Sequence, residues 1–483
     1  MYLGLDLGTS GLRGLLVDSG GTPVAEATRE YAVSNPEEGW SEQDPKEWVL
    51  ACVAVLAELQ KKATGAYAGI VGIGVSGHMH GAVLLDDNQQ VIRPCILWND
   101  VRSARQAAEL DAVPGFREIT GNIVFPGFTA PKLAWMAVHE PKLSRQVATV
   151  MLPKDYLVFW LTGIVGADIS DASGTSWLDV GQRNWSSKLI EASGMSETQL
   201  PPLREGSDIV GILDKERAVQ LNLGDAVQVV AGGADNACAA CGIGALKEGQ
   251  GFASLGTSGV VLLAKDSYVA KPDAAVHTFC HAVPEKWYQM GVSLSATDSL
   301  NWLSSNLGSD PETLAQALPD KASGPSNVMF LPYLTGERTP HNDAEIRGVF
   351  TGLSKTSDHR VLTQAVMEGV SFALRDCLEA LRQTGSNPAS LIAVGGGSKS
   401  EFWVSTLANT LGVNIDIPEN GEFGAAMGAA RLAMIGAGGL SVEIVLSPPK
   451  IEKTITPDPT LLPLYEAAFN KYKNTYLALK DIA

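Results

Sequence analysis

Cysteine, long apolar runs and positive charge are all scarce in this chain. Its six cysteines (Cys52, Cys95, Cys238, Cys241, Cys280, Cys377) are scattered through 483 residues. That usage argues against a disulfide-stapled scaffold and fits a reducing compartment. No apolar run approaches the roughly 18 residues that span a bilayer. The N-terminus runs straight into a strand-like segment with no basic region ahead of it, so neither a signal peptide nor a transit peptide is expected and the expected location is cytoplasmic. Acidic side chains outnumber basic ones by 53 to 36, a net charge of −17, which argues against nucleic acid or an anionic membrane as partner. A phosphate ligand would then have to be met by local donors and a metal ion. The P-loop pattern G-x-x-x-x-G-K-[ST] is absent. Cys238 and Cys241 form one C-x-x-C, but no second pair completes a zinc site, so two packed thiols one helical turn apart are expected. With 45% hydrophobic and 18% charged residues, the composition is globular and the length suits two domains.

Against these absences stands a repetition. The pentapeptide Leu-Gly-Thr-Ser-Gly occurs as Leu7 to Gly11 and again as Leu255 to Gly259, about half the chain apart. Each copy follows one apolar run and leads into another, so each reads as a strand–turn–strand hairpin. Its loop amides and hydroxyls can converge on an anion, as backbone nests do for phosphate. Two such hairpins suggest duplicated halves closing on one polyphosphate, as a nucleotide-dependent kinase requires. Asp6 precedes the first copy and Ser254 the second.

The rest of the chain supports two halves meeting near 242–251, written here as domains 1–245 and 246–483. The first opens with a meander (Tyr2 to Leu7, Leu12 to Asp18, Pro23 to Tyr31). An amphipathic helix then starts at Pro45, followed by a strand at Gly69 to Ser76, a hairpin (Ala82 to Leu85, Val91 to Trp98) and a helix near Arg102. The second half carries its own hairpin and a helix near Leu294 to Asn306. A strand at Asn327 to Leu331 follows, then helices at His359 to Gln383, Ser400 to Leu411, Gly424 to Ile435 and Leu461 to Leu479. Several apolar helices could carry a homodimer interface, and the sequence does not choose among them.

A G-x-G-x-x-G does occur, at Gly72-Ile-Gly-Val-Ser-Gly77, but a dinucleotide fingerprint needs a helix to open there. Met79 to Leu85 instead alternates like another strand. The better nucleotide candidate is Val394-Gly-Gly-Gly-Ser398, a strand ending in glycines before a helix, where a flat ligand could approach the backbone. A tight turn with no ligand is the plainer alternative for that segment alone.

Asp6-Leu-Gly-Thr-Ser10, Ser254-Leu-Gly-Thr-Ser258 and Gly395-Gly-Gly397 together resemble the actin-like ATPase superfamily. Within it, Gly127-Phe-Thr-Ala-Pro-Lys-Leu-Ala-Trp135 and Gly348-Val-Phe-Thr-Gly-Leu353 resemble the two signatures of the FGGY carbohydrate kinases. Val138 and Val361 stand where a polar residue is usual. The resemblance runs from Met1 to about Gly436. Gly77-His-Met-His-Gly81, Ile96-Leu-Trp-Asn-Asp100, Leu152-Pro-Lys-Asp-Tyr156 and Gly336-Glu-Arg-Thr-Pro-His341 look like the xylulose-kinase branch. There a Gln is common where this chain has His78, and Gly232-Gly233-Ala234 replaces three glycines. Glycerol kinases carry Arg-Glu at Met79-His80. The resemblance implies an α/β fold of two actin-like (ribonuclease H-like) domains with a nucleotide cleft between them. It also implies transfer of phosphate from ATP, with Mg²⁺, to D-xylulose. The rivals are another ketopentose or polyol kinase, such as a ribulose kinase, and, from a different class, an actin-like ATPase acting as a binding switch.

Asp235 lies where a strand gives way to a helix. By resemblance it is the general base, whereas position alone would equally allow an N-cap. Asp6 in an apolar strand is costly unless paired or metal-linked, and it looks like the magnesium carboxylate. Thr9, Ser10, Gly256, Thr257, Ser258, Gly395, Gly396, Gly397 and Ser398 are expected around ATP, with Arg13 at a basic position that glycerol kinases use beside the phosphates. Met79, His80, Asp235 and Asn236 are the expected sugar clamp. Trp98 and Asp100 either line the sugar cleft or simply pack and cap. His78 and His80, two apart in a strand, would share a face, but no third ligand supports zinc there.

Overall fold

A computed structural model describes residues 1–419 and 424–482. Its frame is two mixed sheets built on one plan. In the first, the antiparallel meander Pro23–Glu30, Gly11–Val17, Tyr2–Leu7 continues into Gly72–Gly77 and Gln228–Val230, both parallel to Tyr2–Leu7, and ends on antiparallel Ile209–Ile212. In the second, the meander Trp287–Ser293, Gly259–Lys265, Gly251–Leu255 continues into parallel Ser390–Val394 and Asn414–Pro418 and ends on antiparallel Ile451–Ile455. His277–Cys280 adds one further edge strand. The duplication read from the two pentapeptides is therefore a duplication of whole sheets.

Period-2 alternation explains how each sheet is buried. Leu3, Leu5 and Leu7, with Ile73 and Val75, share one apolar cluster with Trp48, Val55 and Leu59 of the helix Pro45–Lys62. The opposite face carries Gly4, Asp6, Gly72, Gly74 and Ser76, and against it lies the helix Ala425–Gly436 from the far end of the chain. Small residues make this approach possible. A Cβ on Gly4 would fall 1.8 Å from the Ala426 carbonyl oxygen, and one on Gly74 2.0 Å from that of Ala429. The same helix crosses the helix Asp235–Gly242 at Gly428, where a Cβ would fall 1.7 Å from the Cys238 carbonyl oxygen. In the second half, Ala253, Leu255, Val261 and Leu263 belong to the cluster beneath the helix His359–Arg382, while Phe252 and Leu262 belong to the cluster between the halves.

Most expected elements fall within a few residues of their observed bounds, including Thr297–Leu307, Glu401–Leu411 and Leu462–Leu479. The expected second hairpin of the first half does not form a ladder of its own. Its turn survives, with Asp86 Oδ1 accepting from the amides of Asn88 and Gln90, and single bridges join Leu85 to Val91 and Ala82 to Ile96. Val83–Leu85 pairs instead with Thr149–Met151, and Cys95–Ile96 with Glu42–Gln43. All six cysteines are free and buried, and Cys238 and Cys241 ride one helix as packed thiols. Among the described residues, no helix is long and apolar enough to cross a membrane.

Candidate active site

In open α/β sheets, ligands gather beyond the carboxyl ends of the parallel strands. Here the register aligns three such ends: Leu7 lies beside Gly77, and Gly77 beside Ala234. The residues that follow are Gly8-Thr9-Ser10, His78-Met79-His80 and Asp235-Asn236, so the first hairpin, the turn expected to hold the sugar and the candidate base are neighbours because their strands are. One step back, Asp6 lies between Ser76 and Arg13, its partners on the two flanking strands. Burial raises the Asp6 carboxyl above the usual aspartate range, while the neighbouring Ser76 side chain and the charge of Arg13 pull it back. The Arg13 guanidinium also pairs with Glu26.

Asp235 is the first residue of its helix, and Ala234 holds the N-cap position without a side-chain cap. Among the described residues, the Asp235 carboxylate accepts from the Asn236 backbone amide at 2.6 Å and from Asn236 Nδ2 at 2.9 Å. Asp235 therefore stands inside the first turn and not at the N-cap position. Its carboxyl is pushed up to about 7, first by burial and then by the charge of Asp6, against the opposing Asn236 bonds. A carboxylate so placed can take a proton near neutral pH.

The His78-Met79-His80 turn departs from expectation. His78 and His80 do not share a strand face, because the strand ends at Gly77 and His80 adopts φ 71°. His78 points into the core, edge-on to Trp48 at 5.6 Å, and burial pushes it down to about 3. Any effect of His78 on a ligand is therefore exerted from behind the turn. His80 is half-buried and stacked on Phe128 at 4.4 Å. Its Nδ1 lies 2.7 Å from the Gly174 carbonyl oxygen, which places the proton on Nδ1 and leaves Nε2 as an acceptor. Burial pushes His80 to about 3, so the ring is neutral. Met79 is buried beneath it, with the Tyr288 hydroxyl 3.8 Å from its sulfur.

The turn is held by residues that the sequence reading quoted without a role. Lys132 is fully buried and donates from Nζ to the carbonyls of His80 and Gly127, both at 2.7 Å, and Thr129 adds a bond to His80 O. Burial pushes the Lys132 ammonium down to about 7. These residues lie in the Gly127–Trp135 signature, whose match was the available signal. Arg338 was missed as well. From the second half, its guanidinium lies 4.6 Å over the Phe125 ring of the first, beside the aromatic group of Phe128, His277 and Phe279.

Trp98 reaches the first hairpin, where its Nε1 donates to Thr9 Oγ1 at 2.9 Å. Asp100 does not reach a ligand cleft. Its fully buried carboxylate accepts from the Ser41 amide at 2.6 Å and from the Arg102 guanidinium at 2.7 Å, which is the packing role. In the second hairpin, Thr297 donates to the Gly256 carbonyl from both its amide and its hydroxyl, and Ala296 N donates to Thr257 O. Gly395, at φ 88°, passes so close to Leu255 that a Cβ would fall 2.7 Å from its carbonyl oxygen. Gly396 opens onto two clefts. One, of about 830 Å³, is shared with Arg13, Gly395 and Ser398. The other, of about 770 Å³, is shared with Gly397, Thr297 and Asn301. Ser10 and Thr257 stand exposed at the two hairpin tips. Ser258 is only partly buried.

Known proteins match this arrangement along its length. Residues 1–242 match the N-terminal domain of the FGGY family of carbohydrate kinases, and residues 251–437 its C-terminal domain. The xylulose kinase of Escherichia coli (strain K12) is 43% identical over 484 residues, covering 99% of each chain. The xylulose kinase of Klebsiella pneumoniae is 45% identical over 442 residues, 90% of each. A crystal structure described as a xyloylose kinase from Brucella ovis superposes with a TM-score of 0.97 at 51% identity, covering 100% of both chains. Twin sheets, paired Leu-Gly-Thr-Ser-Gly hairpins and matches across both halves lead to one statement: the chain belongs to the FGGY family of carbohydrate kinases.

Proposed function

We propose that this kinase transfers the terminal phosphoryl group of ATP to D-xylulose, giving ADP and D-xylulose 5-phosphate. The observation that carries the reading is the meeting of His80, Asp235-Asn236 and the first hairpin at three adjacent strand ends. It is supported by relatives that bear the xylulose kinase name and match 90–99% of the chain. Asp235 takes the proton of the sugar's terminal hydroxyl, while Asn236, Met79 and the neutral His80 hold the sugar. The Nε2 lone pair of His80 suits a hydroxyl donor. Thr9 and Ser10 on one side and Gly256, Thr257 and Ser258 on the other receive the phosphates, with Arg13 alongside. Adenosine lies along Gly395-Gly396-Gly397 and Ser398, where the two clefts meet at Gly396.

The donor set also fits Mg²⁺. Asp6 is a carboxylate raised by burial, and its charge in turn raises Asp235, a repulsion that a divalent cation would relieve. Asp6 would hold the ion, through water, and the ion would supply charge neutralisation at the phosphate oxygens. The halves divide as 1–245 and 246–483 and close over the sugar, keeping water from the phosphoryl group. Six reduced, buried cysteines suit a cytoplasmic setting.

The test is ADP release with Mg-ATP and D-xylulose, L-xylulose, D-ribulose, L-ribulose or glycerol in parallel. A catalytic efficiency at least about tenfold higher for D-xylulose is expected, a difference of about 1.4 kcal/mol in transition-state binding. Preference for another sugar would keep the kinase and overturn the substrate.

A further inference from the structure

Behind the candidate base lies a buried charged group that the reaction as described does not use. Lys154, Asp155, Asp168, Ser170 and Asp171 are all at most 2% exposed. Lys154 Nζ pairs with Asp155 and, at 2.5 Å, with Asp168 Oδ2. It stands where a cation would otherwise be needed among three carboxylates. Asp168 Oδ1 caps the next turn, accepting from the amides of Ser170 at 2.8 Å and Asp171 at 3.2 Å, and it also accepts the Ser170 hydroxyl proton. With that proton committed, Ser170 Oγ presents a lone pair, and the Ala234 amide donates to it at 3.1 Å. Ala234 is the last residue before Asp235.

We infer that Ser170, oriented by Asp168 and Lys154, is a positioning residue that fixes where the Asp235 carboxylate stands in the cleft. The inference rests on the reading of Asp235 as general base. Three features separate this role from generic packing. The bond spans 64 residues and ends on the backbone amide of Ala234, the last residue of the strand Gly233–Ala234 and the one immediately before Asp235. That helix has no side-chain N-cap of its own, so Ser170 supplies an anchor its N-cap residue lacks. The hydroxyl can act in only one direction, because its proton is held by a buried carboxylate that is itself paired with an ammonium. Burial lifts the Asp171 carboxyl well above the usual range, with Asp235 among the charges it senses, consistent with the closeness of this group to the base.

The experiment measures kcat and both KM values for Ser170→Ala and Ser170→Thr, with Asp235→Ala in parallel and folding checked by circular dichroism. A misplaced catalytic group costs rate rather than binding. Ser170→Ala should therefore lower kcat at least about tenfold while KM for ATP and sugar stay within about twofold, and Ser170→Thr, which keeps the oxygen, should recover most of the rate. Wild-type kcat in Ser170→Ala, or equal loss in the Ala and Thr variants, overturns the inference. If Ser170→Ala does not fold, Ser170→Cys replaces it, with a weaker acceptor of similar size, and wild-type kcat there is equally fatal. Full activity in Asp235→Ala would overturn the base itself, an outcome distinct from an inactive Asp235→Ala beside an unaffected Ser170 variant.

Discussion

The two Leu-Gly-Thr-Ser-Gly hairpins have the same sequence and the same place in equivalent sheets, yet they are held differently. The first is braced by side chains: Trp98 Nε1 on Thr9 Oγ1, Gln43 Nε2 on the Thr9 carbonyl and the Tyr31 hydroxyl on the Gly8 carbonyl. The second is braced mainly by backbone, its carbonyls taken by the start of the helix Thr297–Leu307. The strand beside each hairpin diverges further. Gly72–Gly77 ends in the Met79-His80 turn, while its counterpart Ser390–Val394 ends in Gly395 to Gly397. A single duplicated frame thus yields a chemically specific end, dense in named side chains, and a generic end built from glycine and main chain. The split fits the division of labour proposed above, with one end facing the sugar and the other ATP.

The sharpest way to break the comparison is Asp235→Ala. Loss of a positioned base should lower sugar phosphorylation by roughly 10²–10⁴-fold while nucleotide binding, measured by calorimetry, persists. Next comes an exchange of the residues preceding the hairpins. Asp6→Ser is expected to raise the Mg²⁺ concentration for half-maximal rate by about 10–100-fold. Ser254→Asp should not compensate for it, and recovery in the double variant would show the two ends to be interchangeable. Gly395→Ala should act on the generic end alone. With φ 88° and a Cβ 2.7 Å from the Leu255 carbonyl, a cost on the order of 1–3 kcal/mol is expected, read as a lower Tm and a higher KM for ATP.

A gentler probe uses stability without ligand. The folded protein holds the Asp235 proton up to about 7, against 3.8 for the free side chain, so ionising it opposes folding. That cost is absent below the unfolded value, grows across the interval and is complete above about 7. Asp235→Asn should therefore raise Tm over the wild type by a margin that widens with pH through this window and then levels off. The smallest effects are expected from Trp98→Phe and Thr297→Val, each removing one hydrogen bond from one hairpin, worth about 1 kcal/mol. Trp98→Phe should also move KM for the sugar, because Trp98 adjoins the sugar half, whereas Thr297→Val should move only KM for ATP.

Much of the fold was legible because its signals are local. Leu3, Leu5 and Leu7 alternate, Pro45 opens its helix at the first position, and Ser400 caps the helix that begins at Glu401. The twin hairpins could be read as a pair because they repeat a pentapeptide. What failed was non-local. Met79 to Leu85 alternates like a strand, and nothing in its composition announces a left-handed His80, whose bend is enforced by Lys132 and Thr129 about fifty residues on. Asp100 could not be placed from spacing, since its role depends on Arg102 and Ser41 meeting it in the core. Arg338 illustrates the same limit, because its partner Phe125 belongs to the other half.

The helix Ala425–Gly436 has a consequence for how the protein is made. It covers the face of the first sheet that bears Gly4 and Gly74, yet it leaves the ribosome about 190 residues after that sheet is complete. At roughly 5–20 residues per second, the nascent first half waits about ten to forty seconds with that face uncovered. Besides its glycines, that face bears Tyr2, Leu15, Val17 and Val230, which the finished protein buries against the arriving helix. The nascent first half therefore holds an apolar patch open until a piece of the second half closes it.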